Sequence, residues 1–172
     1  CKKLNFILLL MRSIRPYLDI PMMINLYYTF FYPHLIYGIE FWGHAAECEI
    51  NQILLLQKSA LRVILKIHPR GHVTSFFEHL KIMPVQMLFK YRFLILYSKT
   101  IANCEICVSS PNVSFTRSKL GVVPQRAKNC RGARSLLTTG VNLLNRYLPG
   151  ERVCEPLGLR GRLTRALWGC GA

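Results

Sequence analysis

LYYTFFYPHLIYGIEFWGHAAECEINQILLLQKSALRVILK occupies residues 26–66 of the 172-residue chain. Its first half is aromatic and apolar on nearly every side, the pattern of a helix buried all round. After the break at HAAECE, the second half is apolar over most of its circumference but carries Lys58, Arg62 and Lys66 at a spacing of four. On a helix that spacing lines three cations along one face, rising about 6 Å per step. The step is comparable to the separation of neighbouring phosphates along one strand. Such a stripe suits a backbone contact that ignores sequence and depends on salt; it would serve equally as a solvated face.

Outward from this stretch, the periodicity predicts helices and little else. A short helix over residues 4–13 ends at Arg15-Pro16, because a residue before proline avoids the helical region. Asp19 can cap the next helix, with Pro21 in its first turn. That helix is expected over residues 20–42, kinked near Pro33 and ended by Gly43. Glu47 and Glu49 favour the start of the following one, which runs to about residue 67 and is broken by His68-Pro69-Arg70-Gly71. A short helix over residues 75–80 and a long one over 85–102, opened by Pro84, complete the first part. No alternating strand pattern of useful length is present. The aromatic side chains Tyr27, Phe30, Phe31 and Phe89 lie in apolar runs and are expected in the core.

From residue 104 to 135 the chain turns to Ser, Gly, Pro, Cys and Arg with little periodicity, which reads as a long loop or partly disordered linker. It carries Arg117, Arg126, Lys128, Arg131 and Arg134, candidates for an RNA contact because the guanidinium fork matches phosphate and arginine-rich segments order on RNA. Helical patterns return over residues 136–148 and 159–168. The expected organisation is all-α: a bundle-like helical core (1–103), the basic linker (104–135) and a short helical tail (136–172).

The formal charge is +15, from 23 basic and 8 acidic residues, in a chain that is 51% hydrophobic with a mean hydropathy of +0.23. That balance excludes wholesale disorder and points to a polyanion, either nucleic acid or an anionic membrane. Residues 20–39 contain no Asp, Glu, Lys or Arg, enough to span a bilayer by length. Pro21, Asn25, Thr29, Pro33, His34 and four tyrosines weigh against a span, so a small helical membrane-associated protein is the second reading. The start Cys-Lys-Lys before an apolar run superficially suggests a signal peptide, but Arg12, Arg15 and Pro16 stand where a small-residue cleavage site belongs. A start without Met is the expectation of a fragment. Seven scattered cysteines argue for reduced thiols in an intracellular setting over a disulfide framework.

The chain has one aspartate, Asp19. Two-metal phosphoryl transfer needs a cluster of carboxylates, so no catalytic residue is assigned and the chain is expected not to be an enzyme on its own. Cys104-x-x-Cys107 has the spacing of half a zinc site and His68 and His72 that of the other half, but in the wrong order and about thirty residues apart; no metal ligand is assigned. No Ser nucleophile turn and no Gly-rich phosphate loop occurs.

The wording of residues 26–66 carries a resemblance. Leu26-Tyr27, Tyr32-Pro33, Leu35, Tyr37-Gly38 and Trp42-Gly43, followed by Leu56-Gln57-Lys58, Ala60, Arg62 and Ile64, match the pattern LY-x(4)-YP-x-L-x-YG-x(3)-WG, then LQK-x-A-x-R-x-I. This resembles the segment after the polymerase core in reverse transcriptases of jockey-like non-LTR retrotransposons. The similarity continues at His72, Phe76-Phe77 and Leu80, and reappears at Thr116-Arg117, Val123-Pro124, Arg134-Ser135, Gly140, Asn145 and Leu148-Pro149; Leu144 stands where the family usually has Trp. The resemblance implies a thumb-like region that holds template RNA or RNA–DNA hybrid against an upstream palm domain. By the same resemblance, divalent metal and the catalytic aspartates belong to that palm and the setting is the nucleus or a cytoplasmic ribonucleoprotein. A decayed element copy without independent function carries the same wording.

Overall fold

A computed structural model describes residues 2–103, 136–148 and 159–169, and among them every regular element is helical. The all-α expectation holds. Two compact units are formed, Cys1–Phe89 and Lys90–Ala172. The division falls inside one long helix, where the sequence places its boundary at residue 103. Residues 104–135, with the linker cations and Cys104 and Cys107, lie outside the described residues.

In the first unit, α1 (Lys2–Ile14) buries Leu4, Ile7, Leu8 and Met11, the i, i+3, i+4, i+7 positions of one face, and packs on α5 (Glu47–Leu65). A 3-10 turn, Arg15–Tyr17, carries the chain past Pro16. α2 (Ile20–Leu26) begins at Asp19, whose side chain makes no capping bond; the Met23 N–H instead reaches the Asp19 carbonyl at 3.0 Å.

The single kinked helix expected over residues 20–42 is altered at two places: α2 runs on without a break through a π-helical turn, Tyr27–Phe31, into α3 (Tyr32–Ile36), and Tyr37-Gly38 separates α3 from α4 (Ile39–Trp42). Proline is the first cause. Pro33 has no N–H for the Thr29 carbonyl and its ring would clash there. The preceding turn widens, so that the Tyr32 N–H bonds the Tyr27 carbonyl five residues back. Gly38 is the second, since at φ +63 it occupies a left-handed conformation that glycine adopts without a Cβ penalty. Trp42 closes this turn by donating its Nε1–H to the Tyr37 carbonyl at 2.8 Å. Residues 20–39 are thereby divided, and among the described residues no helix is long and apolar enough to cross a membrane.

The widened turn stacks Tyr27 on Phe31, ring centroids 5.2 Å apart, both fully buried. Phe30, expected in the core, is 46% exposed, because a neighbour one position away on a helix points about 100° aside. Gln57, on α5, is buried completely. Its Nε2 donates to the Tyr27 hydroxyl at 2.9 Å and the Met83 carbonyl at 2.8 Å, and its Oε1 accepts from the Val85 N–H at 2.9 Å. One side chain therefore ties the π turn, the loop at Met83 and the first N–H of α7 (Val85–Asn103) together.

Burial raises the Tyr27 phenol above its ordinary 10.0, more than the Gln57 bond lowers it. The folded form then keeps its proton where the unfolded chain loses it. Stability from this residue is complete below pH 10 and falls as pH rises beyond it. Tyr27→Phe is expected to flatten that alkaline decline, read as urea midpoints between pH 9 and about 11.5.

Two helices end in the same way. Ile67 N–H bonds the Arg62 carbonyl at 3.0 Å and Lys66 N–H the Val63 carbonyl; Ile82 N–H bonds Phe77 at 2.9 Å and Lys81 N–H bonds Glu78, closing α6 (Phe76–His79). Both are Schellman ends, with Lys66 (φ 57) and Lys81 (φ 54) at the position that usually holds glycine.

In the second unit, Leu94 of α7, Leu144 of α8 (Leu136–Tyr147), Leu148 just past its end and Leu163 of α9 (Leu159–Gly169) form a buried cluster. Leu144, the departure from the family wording, is thus a core residue. Gly140 lies against the Tyr97 ring, where a Cβ would collide. Lys90 Nζ donates to the Tyr147 hydroxyl at 2.7 Å.

Candidate nucleic-acid interface

The expected stripe Lys58–Arg62–Lys66 does not run along one helix face. α5 ends at Leu65 and Lys66 turns off in the left-handed region, so the third cation leaves the row. Lys58 and Arg62 remain on the helix, both half-buried, and Lys66 is exposed. Arg62 has a structural task as well. Its Nε–H donates to the Gly71 carbonyl at 3.1 Å, folding the loop after α5 back on the helix. His68 takes part in the same loop, its Nδ1 accepting from the Arg70 N–H at 3.3 Å; His72 is exposed beside it.

What the structure gathers is a different set of cations. Arg12 near the end of α1 and Arg15 in the 3-10 turn face Arg62 across a cleft of ≈ 530 Å³, whose remaining walls are Ser59, Val63, Ile67 and Pro69. Among the described residues no carboxylate lines it. Three guanidiniums around one cleft repel one another unless an anion or bulk water screens them. The aliphatic walls of Val63 and Ile67 lower the local dielectric and strengthen whatever charge enters. Arg62 commits only its Nε–H to Gly71, and the fork of a guanidinium matches phosphate oxygens in pairs. The Ser59 hydroxyl donates to the Leu55 carbonyl at 2.9 Å, so its contribution to the wall is small size.

In the sequence Arg15 marks a helix end before Pro16, and Arg12 and Arg15 stand where a cleavage site needs small residues; neither reads there as a binding group. The signal that finds them is their spacing of three combined with position: Arg12 lies about 90° round α1 from the Leu4–Ile7–Leu8–Met11 face, at the border of whatever that face packs against. The other candidates, Arg117, Arg126, Lys128, Arg131 and Arg134, lie outside the described residues.

Asp19 is exposed at the start of α2, and among the described residues no group of three or more His, Cys, Asp or Glu side chains is gathered as a metal would require. The cleft can bind and position an anion. Compared with protein-family models, curated proteins and solved structures, the chain finds no match.

Proposed function

We propose that this chain is the post-palm, thumb-like region of a jockey-like non-LTR retrotransposon reverse transcriptase, and that it holds template RNA or RNA–DNA hybrid by its phosphate backbone without regard to sequence. The observation that carries the binding part is the cleft of Arg12, Arg15 and Arg62, lined by no carboxylate among the described residues. Lys58, one turn before Arg62, and the exposed Lys66 extend the cationic surface around it. The ancestry rests on the motif wording. It gains support from the way the two halves of that motif meet: Tyr27 of the first is bonded to Gln57 of the second, and Tyr37 to Trp42 within the first. Residues that recur as a pattern and meet as partners are what a shared fold requires. In this reading the metal-dependent chemistry falls to an upstream palm domain and the setting is an intracellular ribonucleoprotein.

The test is fluorescence anisotropy with labelled single-stranded RNAs of unlike sequence and an RNA–DNA hybrid, over a salt series. The expected result is a linear fall of log affinity with log salt, at closely similar affinity for every sequence. Affinity indifferent to salt, or confined to vesicles of anionic lipid, would reject the proposal, the second outcome in favour of a membrane-associated protein.

A further inference from the structure

A second cleft, of ≈ 620 Å³, lies in the same unit, between the start of α1, α3, the Trp42 turn and the first half of α5. We infer that it is a nucleotide-binding site which stacks one base on Trp42, holds the phosphate with Lys2 and Lys3, and reads the base edge with Glu49.

Four properties of the cleft lead there. Its floor is aliphatic, with Leu4, Leu35 and Ile50 all buried. Trp42 forms part of the wall, and its indole is already fixed by the Nε1–H bond to the Tyr37 carbonyl at 2.8 Å; a pre-set ring loses little freedom on binding. The polar groups of the lining are Lys2 and Lys3 from the start of α1, His34 from α3, and Glu49 and Gln52 from the first half of α5. The size is that of a small-molecule site with a few convergent polar groups.

The ligand must match all four at once. A simple anion would satisfy the lysines, leave the apolar floor wet and meet Glu49 as a like charge. A purely apolar ligand would cover the floor and desolvate the rim without compensation. A nucleotide has a flat face for the indole and floor, a phosphate for the lysines, and, in cytosine, adenine and guanine, an exocyclic amine that can donate to a carboxylate such as Glu49. Uracil has no such amine, so the site is expected to favour amine-bearing bases over uracil.

The inference does not rest on the backbone-binding proposal. At 3.6 residues per turn, the α5 residues lining the two clefts (Ser59, Arg62 and Val63 against Glu49, Ile50, Gln52 and Ile53) point about 100° apart and lie about 15 Å apart along the axis. They are separate sites.

The experiment follows Trp42 fluorescence in the full 172-residue chain carrying Trp168→Phe, which leaves one tryptophan. CMP, UMP, ribose 5-phosphate and inorganic phosphate are titrated in parallel, with a short oligocytidylate as a further arm. Saturable quenching by CMP, at least five-fold weaker for UMP and absent with the two base-free phosphates, is expected. Glu49→Gln should erase the CMP preference and Lys2→Ala/Lys3→Ala should weaken CMP at least five-fold. These positions are exposed, and circular dichroism checks that the variants fold. Quenching by the oligocytidylate with none by CMP assigns the site to a base within a strand, and still supports it. No saturable quenching by either, or equal quenching by inorganic phosphate, overturns it. Arg12→Gln/Arg15→Gln should leave CMP quenching unchanged, which keeps its outcome distinct from that of the backbone proposal.

Discussion

Gln57→Leu is expected to destabilise the first unit by about 3–5 kcal/mol, although it exchanges a buried polar side chain for an apolar one of similar length. Three groups lose their partner: the Tyr27 hydroxyl, the Met83 carbonyl and the Val85 N–H. The Tyr27 hydroxyl and the Val85 N–H become buried polar groups without compensation and the Met83 carbonyl a partly buried one, at about 1–3 kcal/mol for each fully buried group, and the gain from leucine's extra apolar contact offsets only part. For a unit of this size the midpoint of thermal unfolding should fall by more than about 12 °C. Tyr27→Phe removes one of the three bonds and should cost about 1 kcal/mol. Combined with Gln57→Leu it should cost less than the sum, because the orphaned hydroxyl is removed with it. Lys58→Gln, one residue away, should lie within about 0.5 kcal/mol of the parent. If Gln57→Leu unfolds at the parent's temperature, Gln57 does not tie the π turn to α5 and α7.

The second large effect is expected at Gly43. Its backbone is right-handed, with φ −63, so Gly43→Ala would normally be neutral or favourable. A Cβ there would run into the ring of Phe89 and crowd the Ile39 carbonyl. Phe89 is held on its other contacts by the edge-on His44 ring at 4.9 Å, so it cannot withdraw freely. Gly43→Ala is therefore expected to cost about 2–3 kcal/mol by overpacking. Phe89→Ala, which removes the obstructing Cγ and Cδ2, should cost less in the Gly43→Ala background than in the parent, by at least half of that loss. Chemical denaturation of the four proteins measures the coupling; strictly additive costs would mean that the close approach of Phe89 is not what requires glycine.

The helices with a clean 3.6 period, α1, α8 and α9, are legible in the chain because one face is apolar and the other is not, and α5 is legible from its acidic start at Glu47 and Glu49 and the break at His68-Pro69-Arg70-Gly71. Residues 20–42 are not legible in that way. Apolar on every side, they carry no period that a break could interrupt, and only Pro33 and Gly38 mark the places where the backbone changes. Lys66 and Lys81 hide two helix ends, since the left-handed position is usually announced by glycine. For that reason the row Lys58–Arg62–Lys66 read as one face, when its last member lies past the end of α5. The candidate cleft was half visible: Arg62 stood out by its spacing, whereas Arg12 and Arg15 join it only through the packing of α1 on α5. The bond between Tyr27 and Gln57, thirty residues apart, has no local trace either. Both belong to the motif wording, which is how the sequence marks them without saying why.

The central claim is that the arginine cleft contacts nucleic-acid phosphate. It is tested most directly by Arg12→Gln/Arg15→Gln, which leaves the Arg62–Gly71 bond in place. Binding of single-stranded RNA to parent and variant is measured over the same salt series. Two lost phosphate contacts should reduce the slope of log affinity against log salt by about 1.4, with weakening uniform across RNA sequences and Lys81→Gln without effect. A slope unchanged in the double variant would contradict the claim.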